Sequence, residues 1–518
     1  MKTIETKIDR FDGGIENDSR DPRENTCQMV SNFDIFTNPR KMTQYRSSES
    51  GDGAAATRQR RNFCLAIRTG TTYSLYALGR QEAVARLEVE YKDLTTGAAN
   101  DLDDTGWGST ANNQSGAGTA EYNLFVYYQR TGYIYASNTA NIIRYDPDGG
   151  DAIADTHQTL THTHIAQGVV HSKDDILYIP YFNSGGFIAR NNNGTWNTTA
   201  LTLPVHYIPS SICEYGNYLA IACIPTSGVG NSRVFLWDRD SSLTTVDESI
   251  DWGEGMLMVL EEVDGALIGI SQKGGAANSF TGVPNGVVVT NDKVIFRQLV
   301  GNKAVKVKEL LANHSGGSAT TQLPIAKQRV DNRLYFQMLI ELNGAVRDGV
   351  WSFGRIDQNS PWVLVHERTS NNNTALDTGD SLRNFIKVGD YLFQSYIDTN
   401  YAISKTDDGA TFSHNSVYES KRFNAGDAST HKDLMEATVT TEYMPTAGDV
   451  ILQYRTNNST SWTQIFQNTT DNSISRSAIT SLPKDYKEIE FRILATGNAE
   501  ITGLIFKENV KSRRFNTV

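Results

Sequence analysis

Apolar residues in this chain recur at every second position, and the three-and-four spacing of a helix is nearly absent. β-Branched and aromatic residues fill short runs, and Gly, Asn, Asp and Ser interrupt them about every 8 to 12 residues. The best helix-like stretch, residues 82–92, is too short and too rich in Val to matter. Such a pattern restricts the fold to an all-β sandwich or propeller.

A repeated layout narrows the choice. An apolar strand, a polar turn, an aromatic-rich strand and a further strand recur seven times. The units begin near residues 62, 124, 168, 212, 258, 325 and 384, mostly about 45 to 65 residues apart, which is the length of a four-stranded propeller blade. The spacing predicts a β-propeller of six or seven irregular blades over 61–417, because a small repeating sheet needs neighbours to cover both its faces. A stack of unrelated hairpins in two sandwiches is the competing arrangement.

The two ends read differently. Residues 418–518 contain clean alternating runs, at 437–443, 450–455, 488–494 and 500–507, that predict a separate antiparallel β-sandwich. Residues 1–60 have few apolar runs and many Asp, Arg and Asn, and are expected to form an extended docking segment, ordered by lying on the propeller or on a neighbouring subunit. Charge follows the same division. Residues 1–60 hold 10 basic and 10 acidic side chains, and 418–518 hold 12 and 12, so the whole net charge of −11 falls in the middle. Solubility alone would explain that excess, and so would a surface that repels phosphate.

Little else suggests chemistry. Cys27, Cys64, Cys213 and Cys223 make neither a zinc spacing nor a disulfide framework, and read as buried thiols. His157, His162, His164 and His171 cluster without a carboxylate or Cys at ligand spacing, so no metal is expected. Asp146, Asp148, Asp151 and Asp155 with Gly149-Gly150 form a turn rather than a calcium loop. Asp407-Asp408-Gly409-Ala410-Thr411-Phe412 resembles the Asp box of sialidase-like propellers, a structural turn, but it occurs once and lacks the opening Ser. Nucleophile elbows, zinc-protease motifs, P-loops and dinucleotide fingerprints are absent, so no enzyme activity and no cofactor are expected. No run approaches the ~20 apolar residues of a membrane helix, and the opening Met1-Lys2-Thr3-Ile4-Glu5 has no signal core. Neither membrane insertion nor signal-peptide export is expected.

The segment Phe11-Asp12-Gly13-Gly14-Ile15, Glu24-Asn25, Val30-Ser31-Asn32-Phe33-Asp34-Ile35, Pro39-Arg40-Lys41-Met42 and Tyr45-Arg46 resembles the opening of tailed-phage virion proteins built on a β-propeller. The tail nozzle (tail tubular protein B-like) family is the nearest in pattern. Its usual Pro-Gly ending is not present here. Gln453-Tyr454-Arg455, Ser461-Trp462 and Glu490-Phe491-Arg492-Ile493 resemble the sandwich that closes such proteins. The resemblance implies a structural virion protein made in the host cytoplasm and assembled in the tail or neck. Its partners would be its own copies in a ring, commonly a hexamer, other tail or neck proteins, and viral DNA passing without specific binding. Phe11, Gly13, Gly14, Asn32, Phe33, Asp34 and Lys41 would then lie at interfaces, and Asp101, Asp103, Asp104, Glu261, Glu262 and Asp264 are candidates for an acidic channel lining. The alternative is a peripheral tail propeller that binds a receptor or glycan.

Overall fold

The computed structural model describes residues 2–16, 25–50, 58–70, 72–81, 86–95, 97–98, 101–103, 107–109, 124–137, 140–150, 152–226, 230–240, 242, 245–273, 287–289, 293–311, 321–323, 326–342, 345–369, 381–397, 401–407, 412, 416–424, 429–457 and 459–511. All regular structure among them is β. The chain divides into two compact units, one made of Ser48–Val350 and Thr369–Thr406, the other of Met1–Ser47, Trp351–Arg368 and Asp407–Val518.

The first unit is a β-propeller. Its sheets follow one another along the chain as antiparallel meanders. Sheet 1 runs Arg58–Thr69, Thr72–Gln81, Arg86–Asp93, Gly108–Ser109, and sheet 2 runs Phe125–Tyr128, Tyr133–Ser137, Asn141–Asp146, Ala152–Thr159. Sheet 3 opens with a broken strand, His164–Ile165 and Val169–His171, before Ile176–Phe182, Gly186–Asn192 and Thr195–Thr202. Sheet 4 is Tyr207–Tyr215, Tyr218–Pro225, Asn231–Trp237, Glu248–Glu254, and sheet 5 is Met256–Val263, Ala266–Lys273, Lys293–Val300, Lys303–Leu311. Sheet 6 is built on Lys327–Val330 and Arg333–Leu342. Sheet 7 is Ser381–Val388, Tyr391–Ile397 and Tyr401–Thr406, and its fourth strand is Ser48–Ser50, from the start of the unit.

The packing is cyclic. Tyr76 and Leu78 of sheet 1 meet Phe125 and Ile134 of sheet 2, mixed cores join sheets 2 to 3, 3 to 4, 4 to 5 and 6 to 7, and Phe296 of sheet 5 packs edge-on to Phe336 of sheet 6. In sheet 7, Ile386 and Phe393 close back on Phe63 and Leu75 of sheet 1. Alternation serves two cores at once. In Tyr218–Pro225, Leu219, Ile221 and Cys223 face sheet 3, whereas Ala220 and Ala222 face sheet 5. Both faces of such a strand are buried, so it reads as a continuous apolar run.

The second unit has two larger sheets and a small hairpin, Phe33–Asp34 with Thr43–Gln44. One has the order Lys2–Ile8, Ile501–Val510, Lys432–Thr441, Ser475–Ala478. The other has Val363–Arg368, Cys27–Ser31, Ser416–Ser420, Ile489–Thr496, Asp449–Thr456, Thr463–Asn468. Phe506 of the first sheet packs on Phe491 of the second at 4.7 Å between ring centroids.

These units differ from the ranges 1–60, 61–417 and 418–518. Residues 1–47 are strands and turns of one unit with 407–518, and Ser48–Ser50 belongs to the propeller. The reason is strand pairing: Lys2–Ile8 bonds along its whole length to a strand five hundred residues away, and polar composition gives no sign of that. Gly13 and Gly14 hold the entry turn. A Cβ on Gly13 would lie 2.5 Å from the Asn25 carbonyl carbon. Gly14 has a φ of 62° and backs onto Val363 and Leu364, so neither site admits a side chain.

Candidate functional site at the turn end of the propeller

The first strands of the sheets gather at the centre, tied by polar side chains. Asn384 of sheet 7 donates to Asn62 Oδ1 of sheet 1 at 2.8 Å, and Asn62 donates on to Gln167 at 3.4 Å. Gln167 bonds both backbone groups of Phe125 in sheet 2. Ser210 donates to the Leu257 carbonyl, and Gln328 bonds both backbone groups of Lys387. Lys327 of sheet 6 goes furthest. Its Nζ donates to the Ile212 carbonyl of sheet 4 at 2.7 Å, to the Leu260 carbonyl of sheet 5, and pairs with Glu261 at 2.8 Å. Lys327 and Asn62 each reach past one neighbouring sheet, so polar side chains tie alternate first strands together.

The turns after first strands and after third strands share one end. Arg130, in the first turn of sheet 2, donates to the Asp175 carbonyl and to Asn192, from a first and a third turn of sheet 3. Arg329 donates to the Glu262 carbonyl, and Lys405 to the Asp103 carbonyl. Asp174, Asp175, Glu214, Glu262, Asp264, Asp331 and Asp390 all stand at or beside the first turns. Turn chemistry puts many of them there. Asp264 and Gly265 both have positive φ, as a two-residue hairpin turn requires, and Asp175 and Asp331 are left-handed as well.

One cluster at this end is buried. The His171 ring, on the last residue of the first strand of sheet 3, is fully shielded. Its Nδ1 accepts from the Lys173 N–H at 3.2 Å, and Arg239 Nη1 lies against the ring, 2.8 Å from Nδ1 and 2.5 Å from Nε2. Arg239 follows the third strand of sheet 4 at a φ of 71° and pairs with Asp174 at 3.2 Å. Glu214 lies 3.7 Å from His171, and Tyr178 donates to Asp174. Burial first, then the Arg239 charge, lowers the His171 pKa. Burial beside Asp174 pushes the Tyr178 hydroxyl upward. Nothing in the sequence joined residues 171, 214 and 239, which meet only because consecutive sheets stack.

The sequence-derived candidates are scattered. Glu261 and Glu262 lie on a first strand, near the centre, and Asp264 is in the turn that follows. Asp101 and Asp103 lie beyond the third strand of sheet 1, where the Asp101 carboxylate accepts from the Gly97 N–H. Asp104 falls outside the described residues, as does most of the Asp-box-like turn after Asp407. The expected interface residues turn inward. Phe11, Gly13, Gly14, Asn32 and Phe33 are buried in the second unit, Phe11 edge-on to Tyr418 at 5.4 Å. Asp34 caps a turn through the Phe36 and Thr37 N–H groups, and half-buried Lys41 pairs with Glu500 at 2.9 Å. Among the described residues, no group of three His, Cys, Asp or Glu is arranged to hold a metal ion. No helix there is long and apolar enough to cross a membrane.

No family model and no curated protein matches the chain. Among solved structures, the WD40 β-propeller domain of Doa1 is similar at a TM-score of 0.41 and 9% identity, covering 71% of this chain and 98% of that one. An exo-β-1,3-galactanase from Phanerochaete chrysosporium is similar at a TM-score of 0.28 and 8% identity, covering 89% and 100%. At these scores neither bears on what this chain does.

Proposed function

We propose that the chain is a structural virion protein of a tailed phage, a nozzle or neck component without catalysis of its own. Its architecture is a seven-bladed propeller, closed by Ser48–Ser50 as the outer strand of the last blade, and a β-sandwich assembled from both chain ends. Copies form a closed ring, a hexamer by the family resemblance, around the path of the DNA, in contact with other tail or neck proteins.

The observation that carries this reading is the second unit. The two separate stretches that resemble nozzle proteins, within residues 11–46 and 453–493, are interleaved strands of one folded body. A resemblance in two distant pieces gains weight when the pieces are one structure. The acidic turn end adds support, since a wall of carboxylates beside passing DNA avoids the counterion release that makes basic surfaces adhere. The conduit would lie between copies, since Lys327 and Asn62 tie first strands together at the propeller's centre.

Electron microscopy of the full-length protein, with its mass in solution, tests the reading. A closed ring with an open bore is expected. A stable monomer that binds a glycan array would overturn it in favour of a peripheral receptor-binding propeller.

A further inference from the structure

A charge buried in a protein is ordinarily paired. Arg297, in the third strand of sheet 5, is only 7% exposed, yet among the described residues no carboxylate bonds its guanidinium. We propose that Arg297 anchors a site for a small oxyanion, a phosphate or a carboxylate, between sheets 4 and 5. The site does not depend on the virion reading.

The guanidinium spends only one nitrogen on the protein. Nη1 donates to the Glu254 carbonyl at 3.1 Å and to Ser271 Oγ at 3.4 Å. Nε and Nη2, the edge that takes two oxygens side-on, have no acceptor among the described residues, and neither is sealed from solvent. The Gly253 backbone, at a φ of 84°, packs against the group, and a Cβ there would lie 3.1 Å from Nη2. Burial lowers the Arg297 pKa, the direction expected of a cation whose nearest carboxylates stand off.

The neighbours leave this one cation over. Strand register sets Lys273 directly across from Lys293, and Arg297 across from Lys306, so four cations share one face of sheet 5. Like charges placed opposite each other destabilise a sheet. Three carboxylates answer them, and each has other partners. Glu309 pairs with Lys293 and Lys306 at 2.8 Å, and Glu254 of sheet 4 pairs with Lys273. Asp251 accepts from Asn231 and from the Gly253 N–H. The result is a local positive excess within the region that carries the whole net charge of −11. An oxyanion on Nε and Nη2 would balance it. Chloride would supply the charge but only one acceptor for a two-pronged edge.

Isothermal titration calorimetry of the full-length protein with sodium phosphate and with sodium acetate tests the site, against sodium chloride at constant ionic strength and about pH 7.5. The wild type is expected to bind about one oxyanion per chain, and Arg297→Gln to bind it at least about tenfold more weakly. Lys303→Gln, at an exposed position in the fourth strand of the same sheet, should bind as the wild type does. The tighter of the two salts names the class of ligand. No saturable heat with either salt, or equal affinity in the wild type and Arg297→Gln, would overturn the proposal. A second measurement covers a variant that does not fold. Wild-type crystals soaked in selenate should show anomalous scattering within hydrogen-bond reach of Nε and Nη2, and its absence there would refute the site.

Discussion

The propeller and the second unit solve the same problem, burying the apolar faces of small sheets, by opposite routes. In the propeller most sheets are contiguous in sequence and the cover of each is the next sheet along the chain. Among the described residues two short strands are borrowed, Ser48–Ser50 in sheet 7 and Val287–Val289, which lies between strands of sheet 5 but joins sheet 6 through Thr321–Leu323. The second unit is assembled mainly from distant pieces: Cys27–Ser31 lies between Val363–Arg368, in parallel, and Ser416–Ser420, antiparallel. Local construction produces a repeat that can be read in the sequence. Assembly from distant pieces does not, and it makes the unit depend on each piece.

The sharpest way to break the comparison is deletion of residues 1–47. It removes an edge strand along Ile501–Val510 and an interior strand of the other sheet. The second unit should lose cooperative unfolding altogether, read by calorimetry as the disappearance of one transition, while the propeller transition persists. Survival of both transitions would mean that the N-terminal strands are accessory.

A smaller effect is expected at the propeller's centre. Lys327→Met removes the ammonium that ties sheets 4, 5 and 6 and leaves Glu261 without its cation. The pair is mostly buried, so the cost should be about 3 kcal/mol, measured as a shift in the denaturant midpoint. A neutral result would show that the central polar bonds are dispensable to ring closure.

The smallest effect concerns pH in the second unit. Glu508 is buried and accepts from Tyr486 at 2.6 Å. Burial raises its pKa above 4.5, so the folded unit holds the proton more tightly than the unfolded chain. Its contribution is full below that ordinary value and fades as pH rises through the raised one. Glu508→Gln should therefore flatten the pH dependence of the urea midpoint between about pH 4 and 7, with a change of no more than ~1 kcal/mol at neutral pH. The same slope in both proteins would assign the dependence to other groups.

The sequence was informative where neighbours in space are neighbours in the chain. Alternation over 218–225 and its tight turn at Gly216 are visible as letters, and so is the recurrence of that unit. The candidate site was much less visible. Glu261 and Glu262 could be placed near the centre only once their strand was known to be the first of its sheet. His171, Glu214 and Arg239 carry no joint signature at all.

By itself the sequence determined that this chain is all-β, where its turns fall, and that its excess charge lies in the repeating region, because each follows from local chemistry: pleat period, left-handed turn residues and composition. The tertiary structure decided which strands from the two ends interleave, which faces of each sheet are doubly buried, and which charged groups meet. Those depend on pairings across hundreds of residues, where one backbone strand bonds as well as another, and only the packed side chains distinguish the partners.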